Sequence, residues 1–178
     1  MESHKFTIGI LKEVDAYCES RAAFTPAFVS ELTSAGARVL VEKSDVRCFE
    51  DADYHKHGAI LVDKIEEAGS KALLLGIKPI YPQNVIPDTN YMFYSRIANN
   101  LEATIPLRNS LLEANCSFID YEVVKDSQGN ALIGTSRLAG RVGAFNTIRA
   151  LGEFMLTKGC RKTTPEGVTR KARFCLSL

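Results

Sequence analysis

Histidine is scarce in this sequence. Only His4, His55 and His57 occur among 178 residues, and tryptophan is absent. Few imidazoles leave little room for a histidine-built metal centre. His55 and His57 lie two apart on a polar helical stretch, a spacing that does not share a helix face. The five cysteines, Cys18, Cys48, Cys116, Cys160 and Cys175, are scattered without a C-x-x-C. That arrangement predicts reduced thiols in a cytoplasmic protein rather than a disulfide frame or zinc site. Neither G-x-G-x-x-G nor G-x-x-x-x-G-K-[ST] occurs, so no phosphate-cradling loop is predicted; Gly140 and Gly143 fall inside a helical pattern. No apolar run approaches the ~18 residues of a membrane span, and the first ten residues lack a signal-peptide core.

Charge of one sign is also missing from the whole, but not from its parts. The net charge is +1, which gives no sign of nucleic-acid binding. After position 157 there are six Lys/Arg against one acid, so a basic tail follows a body of net −4. Hydrophobic residues make up 46% of the chain, ample for one α/β core.

The apolar patterning predicts a mostly parallel sheet. Strands are expected at 6–11, 38–42, 59–62, 71–78, 91–95 and 116–124. A helix begins at Thr25, which can cap it, with Pro26 in its first turn and Gly36 at its stop. Phe28, Val29 and Leu32 form its apolar face. A short helix ends at Gly58. Another opens at Pro106 with Leu107, Leu111 and Leu112 inward. A last helix spans about 137–156, carrying Leu138, Val142, Phe145, Ile148, Leu151 and Met155 at helical spacing. The expected organisation is an α/β domain over 1–136, a long helix over 137–157 and a basic, disordered tail over 158–178. The fold class is Rossmann-like (flavodoxin-like), three-layered, with that helix and tail appended.

In such a sheet the ligand crevice lies beyond the carboxyl ends of the strands. Lys12, Glu13 and Arg21 follow the first strand. Lys78 ends the fourth, Ser95 and Arg96 the fifth, Glu122 the sixth, and Arg137 opens the last helix. Several cations with a carboxylate suit a small amino or dicarboxylic acid: arginine offers a planar fork, lysine a movable point charge.

Seven stretches, in order, carry a family resemblance: IGILKE, ESRAAFTP, RCFEDADYHKHGAI, LLLGIKP, YMFYSRIANNLEA, SFIDYEVVKDSQGNALI and LAGRVGAFNTIRALG. Together they resemble the N-terminal domain shared by alanine dehydrogenase and nicotinamide nucleotide transhydrogenase. They are most like the branch of lysine-forming saccharopine dehydrogenase and lysine–ketoglutarate reductase. The resemblance implies an NAD(P)-dependent oxidoreductase of lysine metabolism acting on C–N bonds, with substrate held between this domain and a cofactor domain. It implies that Arg21 grips a substrate carboxylate and that Lys78 is catalytic, beside the reacting carbon. Ser95, Glu122 and, in weaker register, Arg137 are implied substrate contacts.

Arg96 stands where that branch reads Phe-Ser-His. The histidine is the family's implied proton acceptor, and a guanidinium stays protonated near neutral pH. The expectation is therefore a site that keeps its anion grip but lacks its base at Arg96. Past Gly152 the sequence leaves the family's course, so the chain is expected to bind no cofactor or metal by itself. It then serves with a separate Rossmann-type partner, or as a catalytically dead binding module or remnant. The apolar last helix predicts an exposed patch or a homo-oligomer. Cys175 sits in a C-a-a-X-like end, but Ser177 occupies a position that prefers an aliphatic residue, so membrane anchoring is not expected.

Overall fold

Six short apolar runs pair into one parallel sheet. They are β1 (Phe6–Ile10), β2 (Ala37–Glu42), β3 (Ile60–Val62), β4 (Leu73–Leu75), β5 (Asn90–Phe93) and β6 (Ser117–Asp120). Their order is β3-β2-β1-β4-β5-β6, every pairing parallel. This is the doubly wound Rossmann order, whose direction switches between β1 and β4. The structure is a computed structural model and describes residues 6–13, 19–99, 101–134 and 136–158. The basic tail and Cys175 lie outside the described residues.

The chain divides into two units, Met1–Gly134 and Thr135–Leu178. In the first, both sheet faces are covered. On one face Ile10, Val39 and Val41 pack with Val29 of α1 (Pro26–Ser34) and Tyr54 of α2 (Asp51–Lys56). On the other, Leu40, Leu74, Tyr91 and Phe93 pack with Ile65 and with Leu107 and Leu111 of α3 (Ile105–Glu113). Burial on both sides explains why these strands read as continuous apolar runs rather than alternating ones. Gly9 stands opposite Leu74 in the β1–β4 pairing. A Cβ there would meet Leu74 Cδ2 at 2.5 Å and Ile65 Cδ1 at 2.9 Å.

The α1 signals act as expected: Thr25 accepts the Phe28 N–H at 3.2 Å, and Gly36 takes φ 92° after the helix. Phe28, however, is partly exposed and stacks on Phe24, with ring centroids 4.8 Å apart. Leu112 is 71% exposed, not inward. Leu107 and Leu111, four apart, already share the buried face of α3, and Leu112 lies a further 100° round the helix.

Two expected strands are shorter than their apolar runs. The 71–78 run pairs only over Leu73–Leu75, because Lys71 turns back at φ 69° and the Ile77 and Lys78 N–H groups are taken by a side chain. The 116–124 run stops at Asp120, whose carboxylate accepts the Glu122 N–H at 3.1 Å and caps a 3₁₀ turn, Tyr121–Val123.

The second unit holds α4 (Ser136–Thr157), a single 22-residue helix. None of its residues is buried, and Leu138, Phe145, Ile148, Leu151, Phe154, Met155 and Leu156 are all exposed. Cys48 and Cys116 are free thiols. Among the described residues, no helix is long and apolar enough to cross a membrane.

Candidate functional site

The switch between β1 and β4 opens a crevice at their carboxyl ends, and Glu13 reaches into it. Its carboxylate accepts the Ile77 N–H at 2.6 Å and the Lys78 N–H at 3.0 Å, across a sequence separation of more than sixty residues. These backbone donors at the carboxyl end of β4 are thus occupied by the chain's own carboxylate. Burial pushes the Glu13 carboxyl above the ordinary glutamate range, against the pull of the two N–H groups. The segment after β1, KEVDAYCES, contains no glycine and so lacks the phosphate-cradling turn of a dinucleotide fold.

Arg21 lies on the loop before α1. It is clasped by Glu19, whose Oε1 accepts the Arg21 Nε at 2.8 Å and whose Oε2 accepts Nη2 at 2.6 Å. The Arg21 backbone N–H also donates to Oε1, at 3.0 Å. These bonds from Arg21 hold the Glu19 carboxyl below its ordinary range. The loop is fixed in turn by the Cys48 N–H on the Ser20 carbonyl at 2.7 Å, and by the Tyr54 hydroxyl donating to the Phe24 carbonyl at 2.6 Å.

Lys78 follows β4, its backbone pinned by Glu13. Its charge adds the smallest of the influences that act on the Glu19 carboxyl. Tyr94, after β5, and Tyr121, after β6, pack edge to face with ring centroids 4.9 Å apart. The Tyr94 phenol is raised chiefly by burial, opposed by Arg21 and reinforced by Glu122.

Beyond β5 the chain turns sharply. Ser95 is buried, and its hydroxyl donates to Asp120 Oδ2 at 2.7 Å while accepting the Ile97 N–H at 3.0 Å. Arg96 is thereby held in the left-handed region, φ 60°, with its side chain turned outward. Its Nε lies 4.0 Å from Glu122 Oε1, and Asn99 Nδ2 lies 3.4 Å from Glu122 Oε2.

Of the expected residues, Lys78, Arg96 and Glu122 follow the carboxyl ends of β4, β5 and β6, and Arg21 lies on the loop before α1; Arg96 and Glu122 approach each other to 4.0 Å. Ser95, expected as a ligand contact, is buried with its hydroxyl on Asp120. Arg137 belongs to the second unit and is exposed. Sequence reasoning missed Glu19, Tyr94, Asp120 and Tyr121. Only Glu19 left a local signal, an acid two residues before Arg21.

A separate cavity of about 400 Å³ opens on the face of Leu11, Ile80 and Tyr91, with Lys12, Glu42 and Glu66 at its edge. It shares Glu13 with the crevice but contains none of Arg21, Lys78 or Arg96.

Residues 9–140 match the family described as alanine dehydrogenase/PNT, N-terminal domain. The chain is 31% identical over 156 residues to alpha-aminoadipic semialdehyde synthase of Bos taurus, covering 88% of this chain and 16% of that protein. It is 38% identical over 135 residues to the lysine-forming saccharopine dehydrogenase of Emericella nidulans, covering 74% and 36%. Among solved structures, an L-alanine dehydrogenase superposes with a TM-score of 0.62 at 26% identity, covering 71% of this chain and 35% of that one. The chain therefore spans well under half the length of these relatives.

Proposed function

Since the chain belongs to the alanine dehydrogenase/PNT N-terminal domain family, we propose that it is the substrate-binding domain of a saccharopine dehydrogenase-like, C–N-acting oxidoreductase. In this reading its rim grips a small carboxylic acid and performs no proton transfer of its own. The observation that supports this reading is that the fold fixes two expected cations, Lys78 through its backbone and Arg21 through its side chain. Lys78 is a cation whose backbone is fixed by Glu13, and Arg21 is locked in one orientation by Glu19. A fixed fork and a point charge at a strand edge suit a carboxylate.

Proton exchange is a different demand. A general base must lose and regain its proton near the working pH. By the resemblance Arg96 stands at the position of the family's base, and a guanidinium cannot do so. Ser95 is no substitute, since its hydroxyl is buried on Asp120. Hydride chemistry would come from NAD(P) held by another domain, because the segment after β1 lacks the phosphate-cradling turn. That domain is either a further part of a longer polypeptide or a separate Rossmann-type partner.

Calorimetry with pyruvate, 2-oxoglutarate, glutamate, lysine and saccharopine tests the grip. Binding by the wild-type chain that is lost in Lys78→Ala and Arg21→Ala supports it. Absence of binding to all five, or NAD(P)-dependent turnover by this polypeptide alone, overturns it.

The exposed side chains of α4 favour a second statement about partners. A helix with seven large apolar residues in water is normally covered by protein. Self-association of the chain through α4 is the reading proposed for this polypeptide in isolation.

A further inference from the structure

The separate cavity lies wholly within the first unit and is built at the carboxyl ends of the strands. Leu11 follows β1, Glu42 ends β2, and Ile80 and Ile86 follow β4. A doubly wound sheet takes its ligands at such ends, where the strand order reverses. The volume, about 400 Å³, falls in the range of small-ligand sites, about 300–1,000 Å³. Tyr91 lines it and is buried, at 1% exposure. The Tyr91 oxygen accepts the Ile86 N–H at 2.8 Å. Burial pushes the phenol up to about 12, so it keeps its proton at neutral pH. Among the described residues that proton has no acceptor. A buried donor left without one is costly, and an oxygen of a ligand in the cavity would supply it.

Charges of both signs stand around this cavity unpaired. Among the described residues, the side chains of Lys12, Lys64 and Glu66 make no hydrogen bond or ion pair. The other two carboxylates of the lining are spent on backbone: Glu13 holds the Ile77 and Lys78 N–H groups, and Glu42 accepts the Lys12 N–H at 2.8 Å. Burial raises the Glu42 carboxyl, and the Glu66 charge raises it further. A cation beside Glu66 would relieve that repulsion. Unpaired cations and an unpaired carboxylate around one partly apolar cavity match a ligand that carries both signs and an apolar body. We propose that this cavity is a second binding site, for an α-amino acid with a large apolar side chain. The ligand's ammonium lies at Glu66 and its carboxylate at Lys12 and Lys64, while its side chain packs on Leu11, Ile80 and Ile86. The site is independent of the rim, since neither Arg21 nor Lys78 lines it.

Calorimetry on the full chain with L-phenylalanine, 3-phenylpropionate, phenethylamine and alanine tests this, since each of the last three lacks one feature of the first. The wild type binds phenylalanine at least about tenfold more tightly than any of them, the factor that corresponds to one charged hydrogen bond. Glu66→Gln, at an exposed position, weakens phenylalanine about tenfold and leaves 3-phenylpropionate unchanged. Lys12→Gln/Lys64→Gln weakens phenylalanine and leaves phenethylamine unchanged. Tyr91→Phe weakens phenylalanine but not phenethylamine, which has no oxygen; if it also loosens the fold, the exposed variants still decide. No binding of phenylalanine, or affinities equal to those of the three truncated ligands, overturns the inference and leaves the carboxylate grip of the rim intact. Phenylalanine binding that survives Glu66→Gln and is lost in Arg21→Ala assigns the amino acid to the rim and overturns it as well.

Discussion

The Ser95–Asp120 contact is the part of the site whose removal has the most calculable consequence. Both residues are buried, at 7% and 4% exposure. The Ser95 hydroxyl is the hydrogen-bond partner of Asp120 Oδ2 among the described residues, at 2.7 Å, and it also receives the Ile97 N–H at 3.0 Å. Ser95→Ala deletes both bonds without changing the backbone's options. A hydrogen bond to a charged group contributes about 1.5–3 kcal/mol, and an orphaned, partly buried N–H costs about 1 kcal/mol more. The expected loss is therefore about 2.5–4 kcal/mol. For a unit of this size that lowers Tm by roughly 8–12 °C.

Urea unfolding followed by circular dichroism measures the loss directly, and a thermal scan gives the second estimate. The double variant Ser95→Ala/Asp120→Asn completes a cycle whose coupling should reach about 1 kcal/mol or more, since the two side chains touch. A Ser95→Ala loss below about 0.5 kcal/mol, the size of an ordinary surface substitution, would refute the reasoning. Water would then be reaching Asp120, and the turn that carries Arg96 would need another support.

Gly9→Ala should cost about 1–3 kcal/mol in urea unfolding, because a Cβ at 2.5 Å from Leu74 Cδ2 forces β1 and β4 to repack; an unchanged midpoint would show that the Leu74 side chain yields freely. Glu19 is held below its ordinary carboxyl range by Arg21, so its stabilising contribution is full above pH 4.5 and is lost as pH falls through its lower folded value; Glu19→Gln should flatten that acid limb of the stability curve. Glu13 has the opposite sign: burial raises its folded pKa, so stability declines as pH rises from 4.5 through that value. A Glu13→Gln variant whose pH curve shows the same decline would contradict this. Light scattering should find the wild-type chain above monomer mass, with Leu151→Lys and Phe154→Lys shifting it toward monomer, and a monomeric wild type would remove α4 as the contact.

The strand cores were legible because a parallel strand covered on both faces is an uninterrupted apolar run, and LLL at 73–75 or VLV at 39–41 can hardly be anything else. Their ends were not. Whether Ile77 continues a strand depends on where its N–H points, and that is decided by Glu13, 64 residues earlier. The β6 end is decided by Asp120 bonding Glu122 rather than a neighbouring strand. No local pattern encodes either choice, and apolar residues run past both. The helix starts fared better, since Thr25 and Pro26 act within one turn of themselves.

The site shows the same division between residue type and commitment. A sequence displays Arg21, Lys78 and Arg96 as three equal cations at strand ends. In the fold they differ, because what a charged group can offer a ligand depends on what it already holds. Arg21 is oriented by Glu19, the Lys78 ammonium makes no hydrogen bond or ion pair among the described residues, and Arg96 lies exposed with its Nε 4.0 Å from Glu122, too far for a hydrogen bond. Three cations that look alike in the sequence therefore differ in how firmly the fold holds them.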